Sequence, residues 1–133
     1  MCIRDSHHTL GVGGKIILYS GKDGSEIRNH VGYSGSLLGT AVHGGKDVNG
    51  DGVSDYIAGS RLDDNVPNDQ AGSAKVFSGA TGELICTVYG EAEIEQMGMS
   101  VRLLDINGDQ QAEFAVGAPY ADYNGLDLSL IHI

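Results

Sequence analysis

Tryptophan is absent from the 133 residues, proline and cysteine occur twice each, and aromatic side chains make up 6%. Neither a disulfide framework nor a set of long helices fits so lean a composition. Cys86 lies in the apolar run Leu84-Ile85-Cys86-Thr87-Val88, where a small buried hydrophobe is the expected role. Cys2 lies in a terminal segment set aside below, so no internal disulfide is expected. No stretch approaches the ~18 apolar residues of a membrane helix, so no membrane insertion is expected of this segment. Bases are scarce, 8 Lys and Arg against 18 Asp and Glu, for a formal net charge of −10. Such a surface repels nucleic acid and anionic lipid and attracts cations.

The signatures of catalysis are missing too. There is no His-Glu-x-x-His, no phosphate loop ending in Gly-Lys-Ser/Thr, and no Gly-x-Ser-x-Gly elbow; Gly32-Tyr33-Ser34-Gly35-Ser36 fails at its last position. The cluster Gly11-Val12-Gly13-Gly14 lacks the helix that a dinucleotide site requires. His30 and His43 have no sequence-evident partner and read as surface or strand-end residues. The segment is not expected to be an enzyme.

What the chain has in abundance is glycine, 21 residues, the mark of many short strands and tight turns. One stretch, Asp47-Val48-Asn49-Gly50-Asp51-Gly52-Val53-Ser54-Asp55, organises the rest. Oxygen side chains stand at positions one, three, five and nine, with glycines where the backbone must turn. Hard cations such as Ca²⁺ take roughly six to eight oxygens. Asp47, Asn49, Asp51 and Asp55 would offer side-chain oxygens, and Val53 its main-chain carbonyl. An ordinary turn is the alternative, since the same residues dominate turns. The EF-hand is disfavoured because its twelfth position, a bidentate Glu, is Ala58 here. The apolar run Asp55-Tyr56-Ile57-Ala58-Gly59-Ser60 reads instead as a buried strand.

The loop recurs. Asp105-Ile106-Asn107-Gly108-Asp109-Gln110-Gln111-Ala112-Glu113 begins 105 − 47 = 58 residues later and leads into Phe114-Ala115-Val116-Gly117-Ala118-Pro119. The candidate ligands of this copy are Asp105, Asn107, Asp109, the Gln111 carbonyl and Glu113. The same offset carries residues 14–21 onto 72–79, while Gly39-Thr40-Ala41-Val42 matches Gly98-Met99-Ser100-Val101 at 59. The first copy therefore holds one extra residue, within His43-Gly44-Gly45-Lys46. Such self-similarity indicates a repeat architecture.

The two ends are expected to lie outside the repeat. Residues 1–6 can be encoded by a sequence whose complementary strand encodes residues 128–133, Leu-Ser-Leu-Ile-His-Ile. That inverted pair resembles the transposase end used to fragment DNA for sequencing. Both segments are read as cloning or assembly artefacts, as fusion scars are. The true N-terminus would then be missing, and the lack of a signal peptide carries no information. His7 and His8 adjoin the first segment, and no metal site is built on them.

Strands are expected over residues 15–19, 26–31, 37–42, 56–59, 73–77, 84–89, 98–103 and 114–117. Residues 61–72, rich in acids and amides, read as a solvated connection. A helix over residues 91–97 has too few apolar positions to bury a face. This pattern resembles the FG-GAP repeats of integrin alpha-subunit propellers and their bacterial relatives, on the residues of the two loop-plus-strand units quoted above. The resemblance implies an all-β fold, a partial β-propeller of four-stranded antiparallel blades, with a calcium loop joining the first and second strands of each. Residues 7–127 would hold one full blade (37–89), the back half of the blade before (14–31) and the front half of the blade after (98–117). A single four-stranded sheet cannot bury both faces alone, so blades must stack. A piece this short is expected to expose sheet faces and to aggregate or stay partly unfolded.

In the second loop Gln110 replaces the glycine at position six and Glu113 replaces Asp at position nine. A strained backbone and an overlong carboxylate are expected to leave that loop weak or empty. Three functions are open: a calcium-stabilised propeller, secreted or at the cell surface, that binds a protein or glycan; a non-catalytic propeller within a secreted enzyme such as a polysaccharide lyase or phospholipase; and a dockerin-like calcium module, which the strand after each loop argues against. The first is the role the resemblance implies.

Overall fold

The computed structural model describes residues 2–5, 13–64, 70–123, 126–127 and 130–132, and among these there are strands but no helix. In chain order the strands are β1 (Cys2–Asp5), β2 (Lys15–Tyr19), β3 (Glu26–Val31), β4 (Leu38–Lys46), β5 (Asp55–Ser60) and β6 (Ser73–Phe77). There follow β7 (Leu84–Tyr89), β8 (Ser100–Leu104), β9 (Glu113–Ala118), β10 (Asp122–Tyr123), β11 (Leu126–Asp127) and β12 (Leu130–His132). The strands β4 to β7 form a four-stranded antiparallel meander in sequence order, the expected full blade. On one side β2 and β3 form the expected half blade; on the other, β8 and β9 do. Residues 2–5 pair with the free edge of β2, and residues 130–132 with the free edge of β9. The chain is thus an all-β partial propeller.

The apolar run of β5 is continuous because both of its faces are covered; all six of its residues are buried. Tyr56 and Ala58 point toward β2 and join Ile16, Leu18, Leu38 and Phe77 in one core. Ile57 points the other way, into a second core with Ala74, Val76, Met97, Leu103, Val116 and Ala118. Alternate side chains of one strand therefore bind it to two neighbouring sheets.

The joints between sheets repeat as the sequence does. A parallel bridge joins Gly14 to Leu38, and another joins Gly72 to Met97. Around them, the Leu38 amide donates to the Gly13 carbonyl at 2.8 Å and the Met97 amide to the Ala71 carbonyl at 2.9 Å. The Gly32 amide donates to Gly14 and the Gly90 amide to Gly72, both at 2.9 Å. The backbones meet so closely that a Cβ added to Gly59 would stand 1.8 Å from the Gly98 oxygen.

Two expectations change. The first strand of the full blade runs on to Lys46 instead of stopping at residue 42, because Gly45, at φ +103°, bulges out of the ladder between Gly44 and Lys46. That bulge absorbs the extra residue of the first repeat, and β8 pairs with β9 without one. Nor is the connection at residues 61–72 simply solvated. Asp63 is fully buried, where it meets the ammonium of Lys75 and accepts a hydrogen bond from Ser73 Oγ.

Candidate metal centre

Each Asp-rich loop connects the first two strands of its sheet, β4 to β5 and β8 to β9. The short side chains fold back on the loop's own amides, as Asx turns do. In the first loop Asp47 Oδ1 accepts from the Gly50 amide and Oδ2 from the Gly52 amide, both at 2.7 Å. Asn49 Oδ1 accepts from the Asp51 amide at 3.0 Å, and Asp51 Oδ1 from the Val53 amide at 2.8 Å. Asp55 Oδ2 closes the ring by accepting from the Val48 amide at 2.8 Å.

The second loop repeats this ring bond for bond. Asp105 accepts from the Gly108 and Gln110 amides at 2.6 and 3.2 Å, Asn107 from the Asp109 amide at 2.9 Å, and Asp109 from the Gln111 amide at 2.8 Å. Glu113, longer by one methylene, still reaches the Ile106 amide, at 2.8 Å. Gly50 and Gly108 take φ of +76° and +81°, and position six is left-handed in both loops, Gly52 at +81° and Gln110 at +76°. Gln110 therefore holds a conformation that costs an L-residue roughly 1–2 kcal/mol.

Among the described residues no three acidic, histidine or cysteine side chains gather in a group that could hold a metal ion. What each loop offers a cation is a mixed donor set. Three carboxylates, one amide oxygen and one main-chain carbonyl lie within nine residues, all of them hard oxygens of the kind that calcium takes and softer metals do not prefer. The amide bonds fix each side chain's orientation and leave further lone pairs on the oxygens. Asp47, Asn49, Asp51, Val53 and Asp55 in the first loop, and Asp105, Asn107, Asp109, Gln111 and Glu113 in the second, are the residues that would hold a hard cation.

The ninth position separates the two loops. Asp55 is fully buried, and its Oδ1 accepts at 2.8 Å from the amide of Gly79, in the turn between β6 and β7. It therefore ties the loop across its own sheet. Glu113 is only partly buried, and its second oxygen accepts from the Asn107 side chain at 3.0 Å.

Residues 97–127, which contain the second loop and the strand after it, match the FG-GAP repeat family. Over 97 residues the chain is 31% identical to integrin alpha-V of Gallus gallus, a match covering 71% of this chain and 9% of that protein. The chain is an integrin-alpha-like FG-GAP repeat segment. It spans less than a tenth of the length of that relative.

Several functional contacts of the FG-GAP segment escape sequence reasoning. The Gly79 donor to Asp55 left one trace, since Gly21 and Gly79 recur at the repeat offset. His43, read as a strand-end residue, accepts at Nδ1 from the Leu103 amide at 3.1 Å and so joins β4 to β8. Burial, with Arg102 second, holds its imidazole below the usual histidine pKa. His30 lies 2.8 Å from the Tyr56 hydroxyl and stacks on Phe77. Neither histidine is simply a surface residue.

Proposed function

We propose that this FG-GAP segment is a calcium-stabilised, non-catalytic part of a propeller in an extracellular or cell-surface protein, where it serves adhesion by helping to present a surface to a protein or glycan ligand. The observation that carries the calcium reading is that the second loop repeats the first loop's ring of five side-chain-to-amide bonds, although position six and position nine have changed residue. A turn with no further task needs no such likeness in its acidic side chains. Calcium would neutralise carboxylates that otherwise repel one another, so its contribution is to loop order. Extracellular calcium modules commonly bind at about 10⁻⁴ to 10⁻³ M, which suits a calcium-rich medium. The extracellular placement and the adhesive role rest on the likeness to an integrin alpha subunit, and the missing blades would be neighbours within one longer chain.

Calcium titration by calorimetry of the 133-residue chain, beside Asp51→Ala and with a folded-state probe on both, tests the metal. Binding near millimolar or tighter that is lost at the first loop of the variant supports the site. Folded protein that takes up no calcium leaves both loops as turns.

A further inference from the structure

A cavity of about 360 Å³ opens between the half blade of β2 and β3 and the outer strands of the full blade, within the range of about 300 to 1,000 Å³ over which proteins hold small ligands. Asn29, His30 and Tyr33 line it from one side, and Lys75, Phe77 and Leu84 from the other. The fold does not require these residue types. Gly32 bonds to Gly14 as Gly90 does to Gly72, and at that offset of 58 Asn29 falls on Thr87, His30 on Val88 and Lys75 on Ile17. Where this joint holds an amide, an imidazole and an ammonium, the other copy has a hydroxyl and two apolar side chains. Polar atoms at the cavity are also left without a partner among the described residues. His30 Nε2 meets the Tyr56 hydroxyl at 2.8 Å and leaves Nδ1 unused, and Asn29 donates from Nδ2 to Glu26 and leaves Oδ1 unused. The Lys75 ammonium has three N–H donors and gives one to Asp63 and one to Ser73. Beside these atoms lies apolar surface: Tyr33 and Leu84 are 50% and 52% exposed, and the Phe77 ring stacks on that of His30 at 4.2 Å.

Building on the ligand-presenting role above, and taking its glycan branch, we propose that this cavity binds one neutral sugar residue of a glycan. Sugar hydroxyls both donate and accept, so one ring can engage the spare Lys75 N–H, Asn29 Oδ1 and His30 Nδ1 together. The C–H face of the same ring is apolar and packs on flat aromatic surface, which the half-exposed Tyr33 supplies. Charge selects the neutral class. Lys75 is the one permanent cation among the lining residues, and the buried carboxylate of Asp63 already answers it. The chain around the cavity carries a formal net charge of −10, which repels acidic sugars. A single sugar has few atoms with which to gain binding energy, so an affinity of about millimolar is expected.

The test is amide NMR titration of the full chain with glucose, galactose, mannose and N-acetylglucosamine, and with glucuronate as the acidic comparison. His30 and Lys75 report the cavity, and Gly108, in the second loop, is the control. The expected result is a saturable shift at His30 and Lys75 with at least one neutral sugar and none at Gly108. Tyr33→Leu and Asn29→Ala, both at exposed positions, should each weaken that sugar about fivefold, while Tyr33→Phe, which keeps the ring, should stay within about twofold of wild type. No saturable shift with any neutral sugar, tighter binding of glucuronate than of every neutral sugar, or unchanged affinity in both Tyr33→Leu and Asn29→Ala overturns the proposal. The cavity shares no residue with the Asp-rich loops, so each of those results leaves the calcium-stabilised propeller standing. A folded chain that takes up no calcium but binds a neutral sugar as described removes the calcium reading alone. Should Tyr33→Leu fail to fold, Asn29→Ala decides between the same outcomes.

Discussion

Replacing Asp55 with alanine separates what its carboxylate does for the protein from what it does for a metal. Its two oxygens accept from the amides of Val48 and Gly79 at 2.8 Å, and more weakly from that of Asn49 at 3.3 Å. The side chain is fully buried, so water cannot replace it. Hydrogen bonds to a charged group contribute about 1.5–3 kcal/mol each. Loss of the two short ones gives an expected cost of about 3–6 kcal/mol on that scale. The measurement is urea unfolding in excess chelator, where no metal contributes. Asp51→Ala is the control: Asp51 is exposed, and its loss in chelator is expected to cost about 0.5 kcal/mol or less. Asp55→Asn should not rescue, because its amide nitrogen would face one of the N–H donors that the carboxylate now satisfies. Equal stability of Asp55→Ala and Asp51→Ala in chelator would refute the reasoning and reduce Asp55 to a metal ligand.

Two further outcomes follow from the backbone and the histidines. Gln110→Gly should raise stability by about 0.5–1 kcal/mol, the left-handed penalty less the added chain entropy of glycine, and a lowered urea midpoint would show that φ +76° carries no strain. Burial, with Arg28 second, depresses the His30 pKa, and burial, with Arg102 second, depresses that of His43. The unfolded chain therefore binds more protons at either site as pH falls below about 6.5. These histidines contribute stability that is fully present above that pH and is lost as pH falls toward their folded-state values. Urea midpoints measured between pH 7.5 and 5 should fall less steeply in His43→Gln than in wild type; parallel curves would show that His43 contributes nothing to the pH dependence.

Repeats and alternation were legible because they are local in the sequence. The loop period, the strands and the double-sided burial of residues 55–60 all show in residue order, and even the Gly45 bulge shows as a one-residue slip between copies. Contacts between copies were not legible. Asp63 stands among Asp, Asn and Pro, the composition of a solvated loop, yet Lys75 on β6 draws it inside. The donors that Asp55 and Asp47 meet, at Gly79 and Ala112, are main-chain N–H groups. Every residue but proline has one, so beyond the recurrence of Gly21 at Gly79 no side-chain pattern marks them. The ninth-position difference between Asp55 and Glu113 was visible, but the burial that gives it meaning was not.

The joints around Gly14–Leu38 and Gly72–Met97 repeat one pattern of main-chain bonds. Each is made of main-chain bonds, so the rotation and translation carrying one sheet onto the next are set by the backbone and survive drift in the outer side chains. An operator repeated without change generates a closed ring if its angle divides a full turn, and an open spiral otherwise. The number of sheets in such a ring is then written in the glycine-lined joint, and a widening at Gly59 and Gly98 would change the circumference of the whole assembly.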